Sequence, residues 1–451
     1  MKTVAFHNLG CKVNTYELEM MQQNALKAGW KIVEFTQKAD VYVVNTCSVT
    51  NIADRKSRQM LHKAKKNNPS AIVIAVGCYA QTDTKGASDD GSVDIVIGNN
   101  HKADLVKIVE QYEKDHLNRV VVDDLTKSID YEDYNISDFK VRSRADVKIQ
   151  DGCDQFCTFC IIPYARGRIR SRDPRLILEE VKSLSDGGVK EVVLTGIHLS
   201  SYGLDFHEEY SSYNKAAGQE YTNYDLLDVI EAVHDIDGIE RIRLGSLEPR
   251  VITDDFLMRI SSLKKVCPHF HLSLQSGCDE TLKRMNRRYT TKEYADRVSL
   301  IRKYYDHPAI TTDIIVGFPA ETEEEFEKTC RFVEEIDYYE THIFKYSRRH
   351  GTVADTMNGQ LTEAIKAQRS DVLSEVCERH KKRFMEAVIG EHEEILTEEI
   401  IRVDGKDYTI GHTKNYIMMG VEGSFEENTL IDGIVDGFLQ NDIMLLKTQA
   451  E

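Results

Sequence analysis

The sequence predicts an α/β protein in three parts: an open parallel sheet, a partial barrel of six strand–helix units, and a small all-β barrel. Three observations predict it. Cys11, Cys47 and Cys78 each follow an apolar, strand-like run, at steps of 36 and 31 residues, about the length of a βαβ unit. Residues 144–350 alternate strand-like and helix-like stretches six times. After Gly390 the pattern changes to short alternating segments, which read as strands joined by turns.

In the first part, strands are expected over 3–8, 40–45, 71–76 and 93–97. Helices are expected over 17–28, with Asn14 as cap and Glu17 three positions on, over 53–66 and over 103–114. Ligands of open parallel sheets sit at the carboxyl ends of the strands, so the three cysteines come to one edge. An acidic stretch with Asp123, Asp124, Asp130, Glu132 and Asp133 follows. Residues 116–143 are expected as a linker between a first domain, 1–115, and a core, 144–360.

In the core, strands are expected over 146–149, 191–195, 241–245, 270–274, 312–316 and 341–344. Helices are expected over 174–187, 225–235, 254–264, 292–303 and 323–336. Chemistry on such a barrel belongs at the carboxyl ends of the strands, and Cys153 follows the first of them. Residues 205–224 are polar and tyrosine-rich and read as an inserted loop. A long helix over 361–388 carries Arg379-His380-Lys381-Lys382-Arg383. Strands over 394–401, 408–413, 416–420, 430–438 and 442–447 complete a small barrel over 389–451.

Composition bounds the function. The chain has 451 residues, 41% hydrophobic and 29% charged, with net charge −17 and ten cysteines. No apolar run approaches the roughly 20 residues of a membrane span. The N-terminus turns polar too soon for a signal peptide. Cysteines in such a chain are expected reduced and metal-binding, in a cytoplasm. The net charge argues against generic nucleic-acid binding, so any RNA contact must be local. Residues 140–175 hold nine Lys or Arg, including Lys140 and Arg142, against four acids. This run follows a cysteine loop and can hold a phosphate backbone, with Phe156 and Tyr164 near enough to stack on an unpaired base.

That loop, Cys153-Asp154-Gln155-Phe156-Cys157-Thr158-Phe159-Cys160, reads C-x3-C-x2-C. Zinc motifs bring a fourth Cys or His at matching distance, and none follows closely here. Three thiolates can hold an iron–sulfur cube and leave one iron open for chemistry. The spacing, with Phe159 before the last cysteine, resembles the radical S-adenosylmethionine enzymes. That resemblance implies a 4Fe–4S cluster on Cys153, Cys157 and Cys160 that chelates S-adenosylmethionine and cleaves it to a 5′-deoxyadenosyl radical.

Leu9-Gly10-Cys11-Lys12-Val13-Asn14, Asn45-Thr46-Cys47-Ser48-Val49-Thr50 and Gly77-Cys78-Tyr79-Ala80-Gln81 resemble the second ligand set of the methylthiotransferase family. The resemblance covers nearly the whole chain. It implies a flavodoxin-like N-terminal domain, a partial (β/α)6 radical barrel and a C-terminal TRAM barrel. It also implies a second 4Fe–4S cluster, on Cys11, Cys47 and Cys78, that carries the sulfur. No catalytic side chains are expected beyond the cluster ligands. Cys267, Cys278, Cys330 and Cys377 match no ligand motif and read as structural.

The resemblance further implies cofactor contacts at Phe159, Thr195, Gly196, Ser246, Glu248, Ser273, Gln275, Gly317 and Pro319. One departure stands in the last motif, Gly317-Phe318-Pro319-Ala320-Glu321-Thr322, where the family usually has glycine in place of Ala320. Arg166, Arg168, Arg170, Arg172, Lys381, Lys382 and Arg383 are expected to touch RNA. Thr195-Gly196-Ile197-His198, Tyr202-Gly203 and Cys160-Ile161-Ile162-Pro163-Tyr164-Ala165-Arg166-Gly167 look most like the subgroup that acts on threonylcarbamoyladenosine, just 3′ of the tRNA anticodon. The alternatives are isopentenyladenosine in tRNA and an aspartate of a ribosomal protein. The implied partners are a tRNA anticodon stem-loop, a low-potential electron donor and a sulfur donor. TRAM domains bind RNA, yet residues 386–451 carry fifteen acids against four bases, so long-range attraction is not expected there.

Overall fold

In a computed structural model of the chain, residues 1–117, 119–125, 130–133, 143–207 and 224–448 are described. The inserted loop expected over 205–224, and Lys140 and Arg142, fall mostly or wholly outside them.

The first part is a six-stranded parallel sheet. Its elements are β1 (Thr3–Asn8), α1 (Lys12–Lys27), β2 (Lys31–Val33), β3 (Val41–Thr46), α2 (Asn51–Asn67), β4 (Ile72–Gly77), α3 (Cys78–Thr82), α4 (Thr84–Ser88), β5 (Ile95–Ile97), α5 (Leu105–Asp115) and β6 (Arg119–Val121). The strand order is β2-β1-β3-β4-β5-β6, the flavodoxin-like order with one strand added. β3 is buried along its whole length, as expected of a parallel strand covered on both faces.

Two expectations are corrected here. The linker was expected from residue 116, but 119–121 form β6, paired with β5. Asn14 is not the cap of α1, which begins at Lys12 after Cys11. Asn14 instead donates to the backbone oxygens of Leu9 at 2.7 Å and Thr46 at 3.1 Å, tying the β1 loop to the β3 loop.

The core contains β7 (Arg144–Asp151), α6 (Ile162–Arg166), β8 (Arg170–Ser171), α7 (Pro174–Asp186), β9 (Glu191–Gly196), α8 (Leu226–His234), β10 (Arg241–Leu244), α9 (Asp254–Ser261), β11 (His269–His271), α10 (Asp279–Arg284), α11 (Thr291–Tyr304), β12 (Ala309–Val316), α12 (Glu323–Ile336) and β13 (Glu340–Lys345). Six parallel strands run β7-β9-β10 and β11-β12-β13, joined by bridges Ile242–Val266 and Leu247–Leu272. β8 adds antiparallel to the edge of β7. The result is an open half barrel whose apolar core lies between strands and helices.

Helix α13 (Glu363–Glu386) leads to a closed barrel of β14 (His392–Val403), β15 (Lys406–His412), β16 (Met418–Glu422), β17 (Leu430–Gln440) and β18 (Ile443–Lys447), ordered β14-β15-β16-β18-β17. This barrel seats on the amino ends of the core strands. Arg241 donates to the His412 backbone oxygen at 2.7 Å and to Glu394 at 2.8 Å. Arg144 reaches Glu398 at 3.0 Å, and Arg243 the Lys414 oxygen at 2.9 Å. Two of the barrel's acids are thus committed to core arginines. Among the described residues, no helix is long and apolar enough to cross a membrane.

Candidate active site

Both cysteine trios lie at the carboxyl ends of their strands. Cys11 follows β1, Cys47 follows β3, and Cys78 opens α3 directly after β4. In the flavodoxin-like order, the crevice between β1 and β3 is the switch point where ligands sit. The turns there are tight. Gly10 has φ +119°, and a Cβ on it would stand 3.2 Å from the Cys47 sulfur. Gly77, at φ +99°, would place a Cβ 2.7 Å from the Asn45 side chain. The Asn99 amide points at Cys78 Sγ, 3.7 Å away, and also donates to the Ala165 oxygen at 2.6 Å.

The second trio occupies the loop after β7. Cys153 N donates to Gly167 O at 3.0 Å, and Cys160 N to Cys157 O at 2.9 Å. Thr158 N meets the Met285 oxygen at 3.0 Å, and Thr158 O accepts from Ala354 N at 2.8 Å. Asn286 Nδ2 donates to the Phe156 oxygen at 3.1 Å. Phe159 packs edge-on against Phe318, centroids 6.4 Å apart. The loop is therefore pinned by four separate segments, at Gly167, Met285–Asn286, Phe318 and Ala354. Arg287 Nη1 lies 3.2 Å from Cys157 Sγ. No sequence motif marked Arg287.

All ten cysteines are free thiols. Burial pushes Cys153 and Cys160 up to about 12, with neighbouring Cys157 adding to the effect. Burial and then Cys78 push Cys47 up to about 11. Thiols this enclosed ionise when a metal takes the place of the proton. The soft donor set, three sulfurs per group with no disulfide, fits an iron–sulfur cluster at each trio.

A fully buried ion network joins the two groups. Arg166, at the end of α6, donates to Glu17 Oε1 at 2.7 Å and Oε2 at 3.0 Å, to Asn14 Oδ1 at 2.7 Å, and to Asp151 at 3.2 Å. Lys148 bridges Glu17 at 2.8 Å and Asp151 at 2.7 Å, and Lys102 also pairs with Glu17. Asp151 caps the cysteine loop, accepting from Gly152 N at 2.8 Å. Lys148 and Arg166 hold Asp151 below the usual carboxylate range against the opposing effect of burial.

This burial corrects the expected RNA surface. Arg166, Arg170 and Arg172 are sealed from solvent. Arg170 donates to Asn100 Oδ1 at 2.9 Å, and Arg172 pairs with Glu180 and Asp133. Arg168 alone of the four is exposed; its guanidinium lies 4.7 Å over Phe156, whose ring meets Tyr164 edge-on at 6.0 Å. Lys381 pairs with Glu340 at 3.2 Å and Asp442 at 3.1 Å, Arg383 with Asp337, and Lys382 is exposed.

Several expected cofactor residues gather beside the Cys153 loop. Glu248 pairs with Arg250 at 2.8 Å, accepts from Gln155 at 3.4 Å and lies 3.5 Å from His198 Nε2. Burial opposes its charge, but His198 and Arg250 outweigh it and hold the carboxyl at about 2. Ser246 and Ser273 meet through their hydroxyls at 2.9 Å. Thr195 is buried at the end of β9, and Gln275 has φ +72°. Two glycines answer to protein contacts: a Cβ on Gly196 would meet Gln150 at 2.9 Å, and one on Gly317 would meet Lys366 at 2.4 Å. Pro319 stands in the turn before Ala320, which takes φ +60°.

A half barrel carrying C-x3-C-x2-C at the end of its first strand is the architecture of radical S-adenosylmethionine proteins. The radical SAM superfamily profile matches residues 147–333, and one described as uncharacterized protein family UPF0004 matches residues 3–98. The threonylcarbamoyladenosine tRNA methylthiotransferase MtaB of Bacillus subtilis is 40% identical over 94% of this chain and 91% of its own length. Its counterpart in Aquifex aeolicus is 39% identical over 90% and 97%. A tRNA-2-methylthio-N(6)-dimethylallyladenosine synthase of Clostridium botulinum is 35% identical over 90% and 88%. The chain belongs to the radical S-adenosylmethionine methylthiotransferase family. Its cofactors are S-adenosylmethionine and 4Fe–4S cluster chemistry. In fold it is similar to the radical S-adenosylmethionine methyltransferase TsrM of Kitasatospora setae, with TM-score 0.54 and 14% identity over 76% of this chain and 75% of that one.

Proposed function

We propose that this protein converts N6-threonylcarbamoyladenosine, just 3′ of the anticodon in tRNA, to its 2-methylthio derivative in the cytoplasm. Carbon 2 of adenine carries a hydrogen of no useful acidity, so no side-chain base removes it. A cluster on three thiolates would supply an open iron for S-adenosylmethionine and an electron to break its sulfonium bond, and a second would supply an iron for the sulfur to be delivered. Cys153, Cys157 and Cys160 would hold the first, and Cys11, Cys47 and Cys78 the second. A low-potential electron donor and a sulfur donor are required by the same chemistry.

The chain's own groups position the reactants. Arg287 donates toward Cys157 and fixes one ligand. Glu248, anionic at neutral pH, and the Ser246–Ser273 pair offer hydrogen bonds to the ribose or amino group of the cofactor. Phe156, Tyr164 and Arg168 form an exposed aromatic and cationic edge beside the loop, suited to a base taken out of its stack.

The observation that carries this reading is full-length similarity to threonylcarbamoyladenosine enzymes, 40% identical in Bacillus subtilis, combined with both cysteine trios at strand ends. Mass spectrometry of nucleosides from a deletion strain tests it. Loss of 2-methylthio-threonylcarbamoyladenosine is expected, with 2-methylthio-isopentenyladenosine and ribosomal-protein methylthiolation retained. Unchanged 2-methylthio-threonylcarbamoyladenosine overturns it.

A further inference from the structure

Apart from Val193, Ile315 and Phe344, the inner face of the half barrel is polar, whereas closed barrels of parallel strands are filled there by branched apolar side chains. Alternation along the strands shows it. Val147, Leu194, Ile242, Leu272 and Ile314 belong to the helix-covered core. Asp146, Arg243, His271, Asp313 and His342 occupy the alternate positions and turn inward.

Lys12 follows Cys11 on the side of the N-terminal domain that packs on the half barrel. It is the first residue of α1 and is solvent-accessible. The charges acting on it are Asp146 and Arg144 of β7, Glu191 of β9 and Arg243 of β10, and it acts in turn on His269 of β11. Glu17 of the same helix accepts from Lys148, an inward position of β7, at 2.8 Å, which sets the start of α1, and Lys12 with it, against the half barrel.

His271, Asp313 and His342 lie on β11, β12 and β13. His271 Nε2 is 3.3 Å from Asp313 Oδ2, its Nδ1 is 3.0 Å from Thr311 Oγ1, and its ring stacks on His342 at 5.9 Å. Asp313 and His342 are register partners. Two residues beyond His271, the same face carries Ser273 at the rim. The far end is closed by Tyr416 of the C-terminal barrel, under Arg144 at 5.2 Å and Arg243 at 4.7 Å and stacked on His269 at 5.1 Å. Tyr416 thus covers the amino ends of these strands, opposite the rim that bears the cysteines.

We propose that this space receives the threonylcarbamoyl arm of the substrate adenine, with Lys12 holding its carboxylate and the His271–Asp313–His342 group hydrogen-bonding its hydroxyl and urea. The inference rests on the substrate reading above. The arm brings one carboxylate, one hydroxyl and a urea, whereas a dimethylallyl arm brings none of them. A site built for the first leaves its own polar groups unpaired around the second, which is how a polar pocket rejects an apolar analogue.

The test compares anticodon stem-loops bearing threonylcarbamoyladenosine, its carboxamide analogue, dimethylallyladenosine or unmodified adenosine. Binding to the anaerobically reconstituted protein is read by fluorescence anisotropy. The native protein is expected to bind the acid roughly tenfold or more tighter than the carboxamide, the effect of one charge-assisted contact. Lys12→Met is expected to abolish that difference and Lys12→Arg to keep most of it, at unchanged iron and sulfide content. Equal binding of acid and carboxamide by the native protein overturns the proposal while leaving the substrate reading intact. A difference that survives in Lys12→Met also overturns it. Preference for the dimethylallyl stem-loop overturns the substrate reading itself. Should Lys12→Met fail to load clusters, the acid–carboxamide comparison on the native protein still decides, with His342→Ala expected to weaken binding of both forms alike.

Discussion

Arg166 of the half barrel holds Glu17 of the N-terminal domain through both carboxylate oxygens, at 2.7 and 3.0 Å, with neither side chain exposed to solvent. Glu17 lies six residues after Cys11, and Arg166 six residues after Cys160. This pair sets the two cysteine groups relative to each other. Removing one partner of a buried pair leaves an uncompensated charge, a cost of about 3–5 kcal/mol. Arg166→Ala and Glu17→Ala are each expected to lower the thermal midpoint sharply, with a double variant far from additive. Calorimetry of the three variants checks it, and additive losses would refute a direct coupling.

The division of labour between the trios predicts opposite behaviour of two cysteine variants. Cys157→Ala is expected to abolish 5′-deoxyadenosine formation from S-adenosylmethionine, and Cys47→Ala to retain it while losing methylthiolation. Each loses about four irons per chain. Anaerobic product analysis with iron and sulfide assays checks this; equal loss of 5′-deoxyadenosine with the radical-site cluster intact would contradict it.

Ala320 adopts φ +60°, a left-handed conformation that costs a residue with a Cβ roughly 1 kcal/mol. Ala320→Gly is expected to raise stability by up to about 1 kcal/mol, reduced by the entropy of a freer unfolded chain. Gly359, at φ +77° with a virtual Cβ 3.0 Å from Ala320, should not tolerate alanine. Urea unfolding of both variants tests the pair of claims.

Docking of the C-terminal barrel has a pH signature. Burial raises the pKa of Glu191, but Arg243, Arg144 and Arg241 outweigh it and bring the carboxyl to about 2. A depressed carboxyl contributes stability above its unfolded value of about 4.3 and loses it as pH falls toward 2, roughly 3 kcal/mol in all. Glu191→Gln is expected to flatten the acid limb of a melting-temperature profile between pH 5 and 2. An unchanged limb would assign the acid sensitivity elsewhere.

Tyr164 and Arg168 form the exposed edge of the cysteine loop. Base stacking on an aromatic ring is worth about 1–3 kcal/mol. Tyr164→Ala is expected to weaken anticodon stem-loop binding roughly tenfold, and Arg168→Ala to reduce the salt dependence of binding by about one phosphate contact. Filter binding at several salt concentrations measures both, and Arg172→Ala should disturb folding before binding.

The order of elements was legible because periodicity and punctuation are local. Runs such as Val41–Thr46 before Cys47 need only a dozen residues to be recognised. The first helix starts earlier than its sequence signals suggest, because Asn14, a good cap by type, spends its amide on Leu9 and Thr46. Strand β6 is not legible in the sequence, because three residues carry almost no periodic signal. The arginine run read as a surface because sequence shows charge without its partner, and Glu17 stands 149 residues from Arg166.

Ligand type and spacing follow from the chain alone, since three thiols within eight residues reach one metal cluster whatever surrounds them. Strand-end placement of Cys11, Cys47 and Cys78 is equally local. Tertiary structure decided which charges face solvent, which are consumed in pairing the domains, and which polar side chains line the half barrel. Those outcomes depend on contacts between elements a hundred or more residues apart, where burial removes water and leaves each charge to the nearest opposite one.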